Sequence, residues 1–248
     1  MPKQKLSKKI IHLCIIFIII IAIIFTAIMF ILKYDEQGEI NMPFNLNKIN
    51  IISTIDGKDM QDESNKWNIE ITQNNDLNLY IERNEKYRKQ EVIKYVKINN
   101  ITVLEKPKIG DIKIYKPIND ELVLYKNIEE NSVSELEYVG AQATNNKNME
   151  ISNQGGVIQF RCSNLNIGTY ISNEDEEINY KDLIKKINIK EEDIIAKIAF
   201  DLIICLNSGK AFKAEVILKI PNEGIVENGK QGLEINDLND IVFKRVNI

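Results

Sequence analysis

Trp67–Asn68–Ile69–Glu70–Ile71–Thr72–Gln73–Asn74–Asn75–Asp76–Leu77–Asn78–Leu79–Tyr80–Ile81 alternates apolar and polar side chains on either side of a polar centre. Trp67, Ile69 and Ile71 share one face, and Asn68 and Glu70 the other. Leu77, Leu79 and Ile81 repeat the pattern against Asn78 and Tyr80. A period of two is the mark of a half-buried strand. Asn74, Asn75 and Asp76 are turn-forming residues, so the segment predicts two strands joined by a hairpin turn.

The same pattern extends outward. Ile49 and Ile51 alternate with Asn50. Further strands are expected at Ile98–Leu104, Ile112–Tyr115, Leu122–Tyr125, Leu136–Val139, Met149–Ile151 and Val157–Ser163. Gly155 and Gly156 fall between the last two and read as a turn. Ile194 to Cys205 is apolar on both faces, as a central strand is. Asn207 to Lys210 then forms a turn into a strand whose one face is Phe212, Ala214, Val216, Leu218 and Ile220, ended by Pro221. One helix is expected around Leu183, Ile184 and Ile187, with Asn179 as N-cap, Asp182 three residues on and Asn188 as its stop. Lys86–Val96 fits either a helix or a strand.

Ile10 to Leu32 carries no Asp, Glu, Lys, Arg, Asn or Gln. About 20 apolar residues span the hydrocarbon core of a bilayer, so this run predicts one transmembrane helix. Lys3, Lys5, Lys8 and Lys9 precede it, while Asp35, Glu36 and Glu39 follow. Positive charge stays on the cytoplasmic side, which puts the N-terminus inside and the rest outside. A cleaved signal peptide has a shorter apolar region and a small-residue cleavage site. Phe25–Phe30 offers none, so an uncleaved anchor is expected. Cys14 reads as a lipid-facing thiol and His12, the one histidine, as a first-turn residue near the headgroups. The expected organisation is a basic cytoplasmic tail (1–9), the transmembrane helix (10–32), a juxtamembrane linker (33–46) and a β-rich extracytoplasmic domain (47–248). The fold class is mainly β: an antiparallel β-sandwich-like domain with one or two short helices behind an N-terminal transmembrane helix.

Setting aside the four N-terminal lysines leaves 28 of the 32 basic side chains against 36 acidic ones, a net −8. Nucleic-acid binding needs a basic footprint, so it is not expected. Cys162 and Cys205 are too few for a disulfide framework and are read as two unpaired core thiols. The Asn100–Ile101–Thr102 triplet matches a glycosylation sequon, which chance accounts for.

No histidine lies beyond His12, which removes Ser-His-Asp, Cys-His and His-ligated metal chemistry from the domain. No phosphate-cradling glycine motif is present. Carboxylates remain. Glu174–Glu177 is the densest run, and Asp56, Asp59, Asp62 and Glu63 surround Gly57; both read as solvated surface loops. Asp201 sits between Phe200 and Leu202: buried, it would make a general acid, but such a residue more often pairs with a lysine such as Lys197 or Lys213. Trp67 reads as a core residue in phase with Ile69, and Arg161 as the mark of an exposed strand face. No catalytic, metal-binding or cofactor-binding residue is assigned, and no cofactor is expected.

Lys66–Ile71 with Asn74–Asp76, Ser152–Gly156 and Asn166–Tyr170 resemble stretches of uncharacterised single-pass membrane proteins of low-GC Gram-positive bacteria, a group that carries no assigned activity. The expected function is a membrane-anchored binding or scaffolding module of the cell envelope, with a protein or cell-wall partner. The alternatives are a carboxylate-dependent glycan enzyme and an accessory subunit of a membrane complex.

Overall fold

The computed structural model describes residues 8–60, 66–117, 125–127, 135–140, 149–172 and 176–248. Lys3, Lys5, Asp62, Glu63, Glu174, Asp175 and the expected strand positions 122–124 lie outside them. The chain forms two units, Met1–Ile40 and Asn41–Ile248.

The first unit is helix α1, Lys8–Gln37. Its His12–Tyr34 stretch has a mean hydropathy of 3.4 and is long and apolar enough to cross a membrane once. The helix outruns the expected end at Leu32, because Lys33 to Gln37 are all compatible with helix. It stops at Gly38, whose φ of 65° and N–H bond to the Tyr34 carbonyl (2.8 Å) form a left-handed cap. The linker of 33–46 therefore shrinks from both ends, since the first strand already begins at Phe44.

The second unit is a mainly β domain of two packed sheets. Its strands are β1 (Phe44–Asp59), β2 (Asn68–Arg83), β3 (Ile93–Glu105), β4 (Asp111–Pro117), β5 (Tyr125–Asn127) and β6 (Glu135–Gly140). There follow β7 (Met149–Ile151), β8 (Gly155–Ile171), β9 (Ala196–Leu206), β10 (Ala211–Ile220), β11 (Lys230–Ile235) and β12 (Lys244–Val246). The first sheet runs β11-β1-β2-β8-β4-β5 and is antiparallel. The second runs β12-β10-β9-β3-β6-β7, with β6 and β7 parallel and the rest antiparallel. Phe160 of β8 meets Phe200 of β9 edge to face across the sandwich, at 5.3 Å between centroids. The Tyr138 hydroxyl of β6 donates to the Gln159 carbonyl of β8, a second tie between the sheets.

Between β8 and β9 lie α2 (Leu183–Lys186) and α3 (Glu191–Ile194); α4 (Ile225–Asn228) follows β10. Asn179 caps a turn of 3₁₀ helix leading into α2, and Asn188, at φ 56°, ends it. Lys86–Val92 is turn and irregular chain, and β3 takes over from Ile93.

The expected turn at Asn74–Asp76 does not exist. β2 runs through it unbroken, and Asn74 and Asn75 are buried. The core-facing stripe of β2 reads Ile69, Ile71, Gln73, Asn75, Leu77, Leu79, Ile81, so two amides interrupt it. β1 places Ser53 opposite Asn75, and β8 places Asn164 opposite Gln73. The Ser53 hydroxyl donates to Asn75 Oδ1 at 2.8 Å, as does Gln73 Nε2 at 2.7 Å. Asn75 Nδ2 donates to Gln73 Oε1 and to the Cys162 carbonyl, both at 3.1 Å. Asn222, arriving after β10, gives its backbone N–H to the Ser53 hydroxyl at 2.9 Å. It also gives Nδ2 to the carbonyls of Ile51 and Gln231.

This polar layer divides the interior. On one side is the main core between the sheets, including Leu77, Leu79, Ile158, Phe160, Phe200 and Val216. On the other, Ile55, Ile69, Ile71 and Ile167 pack against Leu183, Ile184, Ile194 and Ile225 of the small helices. Gly57 also belongs to β1 and not to a loop; a Cβ there would come within 2.9 Å of the Tyr180 ring and 2.6 Å of Ile69.

Asn75→Ala strips partners from Ser53, Gln73 and the Cys162 carbonyl at once. Each orphaned buried polar group costs about 1–3 kcal/mol, so the variant is expected to lose about 3 kcal/mol of stability in urea unfolding. A loss below about 0.5 kcal/mol would mean that the layer does not form.

Candidate functional site

Of the carboxylates raised by the sequence, Asp201, Asp56 and Glu176 are held by partners on the surface. Asp201 lies on the outer face of β9 with 15% of its side chain exposed. Its Oδ2 is 3.3 Å from Lys213 Nζ and accepts from Asn100 Nδ2 at 2.7 Å. Asn100 reaches it from a bulge in β3, at φ 52°. The amide of the sequon thus serves a structural bond, while Lys197 pairs with Glu105. Asp56 is in β1 and accepts from Asn74, correcting its reading as a loop residue. Glu176 accepts from the Tyr170 hydroxyl at 2.7 Å and pairs with Lys186, whose Nζ stands 4.8 Å from the centre of the Tyr170 ring. Those bonds to Glu176 raise the pKa values of both Tyr170 and Lys186. Arg161 grips Asp76 with two bonds, of 2.6 and 2.9 Å. Among the described residues, no three His, Cys, Asp or Glu side chains are grouped to hold a metal ion.

Cys162 faces the main core and Cys205 the opposite side of the second sheet, beside Ile203, Ala211 and Tyr95. Both are free thiols, as expected. Burial pushes both thiol pKa values up. Tyr95 is raised to about 12, first by its hydrogen bond with Cys205 and then by burial. The turn expected at Gly155–Gly156 falls just before them, at Asn153–Gln154, and both glycines are paired with β2 at the start of β8.

An open groove of about 480 Å³ runs beside the short helices, lined by Lys185, Ile189, Lys190, Val226 and Glu227 among others. Lys185 and Glu227 pair at 2.5 Å within it. Asp201 is not among its lining residues.

The expectation for Trp67 is overturned. Its side chain is 51% exposed. The β1–β2 ladder ends at the Asp59–Ile69 pair, so Trp67 stands past the last paired residue, where alternation no longer implies burial. Its backbone is nonetheless held. Trp67 N–H donates to the Ser172 hydroxyl and Ser172 N–H to the Trp67 carbonyl, both at 2.9 Å. Met60 N–H donates to the Asn68 carbonyl at 2.8 Å, and Ile171 pairs with Asn68. Met60 (49% exposed) and Ile171 (61%) thus join Trp67 at one end of the first sheet. This exposed trio on a fixed backbone had a sequence signal only in Trp67 itself. Met60 and Ile171 are far apart in the chain, and only strand register brings them together.

A second arrangement without a sequence signal ties the 84–92 segment to the β9–β10 turn. Lys210 Nζ is 2.7 Å from Glu91 Oε1 and 3.1 Å from the Tyr87 hydroxyl. The Lys210 bond holds the Glu91 carboxyl below its ordinary 4.5. Stability from this lowered pKa is full above 4.5 and is lost as pH falls through the lower folded value. Lys210→Met is therefore expected to cost about 1 kcal/mol at neutral pH and to flatten the loss of stability below about pH 4.5, read by urea unfolding across that range. The chain matches no protein-family model, no curated protein and no solved structure.

Proposed function

We propose that this chain is a membrane-anchored binding module, carried by one N-terminal span and displaying its β domain on the extracytoplasmic side. The observation that carries this reading is the exposed Trp67 on a backbone pinned by Ser172, at the end of the sheet where Met60 and Ile171 are exposed as well. A large aromatic on a backbone held in place loses little freedom on binding, which is why such residues dominate interface energies. The engagement of Asp201, Glu176, Asp76 and Asp56 by cations and amides favours binding over carboxylate catalysis. The lysines ahead of the span support the orientation, and the resemblance to single-pass proteins of low-GC Gram-positive bacteria supports a cell-envelope setting.

Trp67→Ala is expected to leave the unfolding midpoint within error, because the side chain is half exposed. In proximity cross-linking of the intact protein in its own membrane, the same variant is expected to lower recovery of the specific partner about tenfold or more. Unchanged recovery would remove Trp67 from the contact surface. Alkaline phosphatase fused after Ile248 is expected to be active; an inactive, cytoplasmic reporter would reverse the orientation.

A further inference from the structure

Strand β11 is the outer strand of the first sheet, and its six residues leave an edge open. Ile55 N–H donates to the Gly229 carbonyl at 2.8 Å, which sets the alternation of the β1–β11 ladder. Gln231, Leu233 and Ile235 turn their backbone groups toward β1, and Lys230, Gly232 and Glu234 turn theirs away. All three of the latter are exposed, and no strand pairs with that side among the described residues.

We propose that β11 joins two copies of this chain, antiparallel and edge to edge, about a two-fold axis at Gly232. Three observations select a second copy as the occupant. First, the edge is self-complementary. With Gly232 opposite its own symmetry mate, Lys230 of each copy faces Glu234 of the other on the outer face of the sheet, where Glu234 also pairs with Lys48 of its own copy at 2.9 Å and keeps 48% of its side chain exposed to a second cation. Opposite charges directly across a ladder stabilise the pair. A lone edge lysine usually repels another strand, but Glu234 at the symmetric position reverses that effect.

Second, nothing within the protomer requires glycine at 232. Its φ is not positive, and an added Cβ would meet nothing within 4 Å. Glycine inside a strand weakens it, and often marks a place where another backbone approaches closely. Third, Leu233 faces the core side of the sheet opposite Ile51, yet is 44% exposed. In the paired edge it lies diagonal to its own symmetry mate, within reach across the ladder. A shared bilayer confines the copies to one layer and raises their effective concentration, so a short ladder suffices.

The test uses the full-length chain in membranes, with Cys14→Ser removing the exposed native thiol. In a hydrogen-bonded antiparallel pair the facing Cα atoms are about 5.5 Å apart, within the disulfide window. Gly232→Cys is expected to form a covalent dimer on mild oxidation, and Glu215→Cys, exposed on β10, is not. Lys230→Glu and Glu234→Lys are each expected to lower self-association at least about fivefold, read by energy transfer between labelled copies. Mixing the two variants restores it, because every facing pair is then opposite in charge. Gly232→Cys cross-linking no better than Glu215→Cys would overturn the proposal. So would charge reversals without effect, or a mixture that fails to recover.

Discussion

The amides of Gln73 and Asn75, buried in the middle of β2, constrain everything around them. A buried amide without partners costs more than its bonds contribute, so the surrounding chain must supply partners at fixed positions. Ser53 on β1 and the Cys162 carbonyl on β8 do so, and Asn222 beyond β10 in turn holds the Ser53 hydroxyl. One residue of slip in either ladder of β2 would turn these groups to the wrong face and set Ile or Leu against the amides. The polar layer therefore specifies register for the three longest strands. It also explains their length. β1, β2 and β8 serve two apolar clusters, one on each side of the layer, which a short strand could not reach.

On the sheet faces, the charged groups mostly reinforce this frame. Asp76 with Arg161 ties β2 to β8, Lys48 with Glu234 ties β1 to β11, and Asp201 with Lys213 ties β9 to β10. These pairs are partly exposed, so each contributes modestly to stability, but each also occupies a carboxylate. Two features are of another kind: an exposed end of the first sheet that carries Trp67, Met60 and Ile171, and the outer edge of β11.

Much of the fold was legible because burial and alternation coincide where a strand is paired on both sides. Ile194–Cys205, Phe212–Ile220 and the Asn207–Lys210 turn appear close to where the pattern put them. Asn188 stops its helix as a residue that tolerates the left-handed conformation should. The same logic failed at Asn74–Asp76, where local turn preference pointed one way and long-range partners the other. It failed at Trp67 because alternation carries no information past the end of a ladder. Within the candidate surface, only Trp67 stood out in the sequence. Met60 and Ile171 needed the β1–β2 and β2–β8 registers to arrive at the same end of the sheet, beside Asn68.

The chain by itself determined an N-terminal helix long and apolar enough to cross a membrane, the β class, the lack of histidine beyond His12 and the positions of most strands. These depend on local composition and short periodicities, which a linear reading captures. Tertiary structure alone decided that Gln73 and Asn75 form a buried layer, that Cys162 and Cys205 lie on opposite sides of a sheet, and which residues gather at the exposed end and edge. Those outcomes depend on pairing between segments distant in the chain, and a hydrogen-bonding side chain does not carry the identity of its partner in its own neighbourhood.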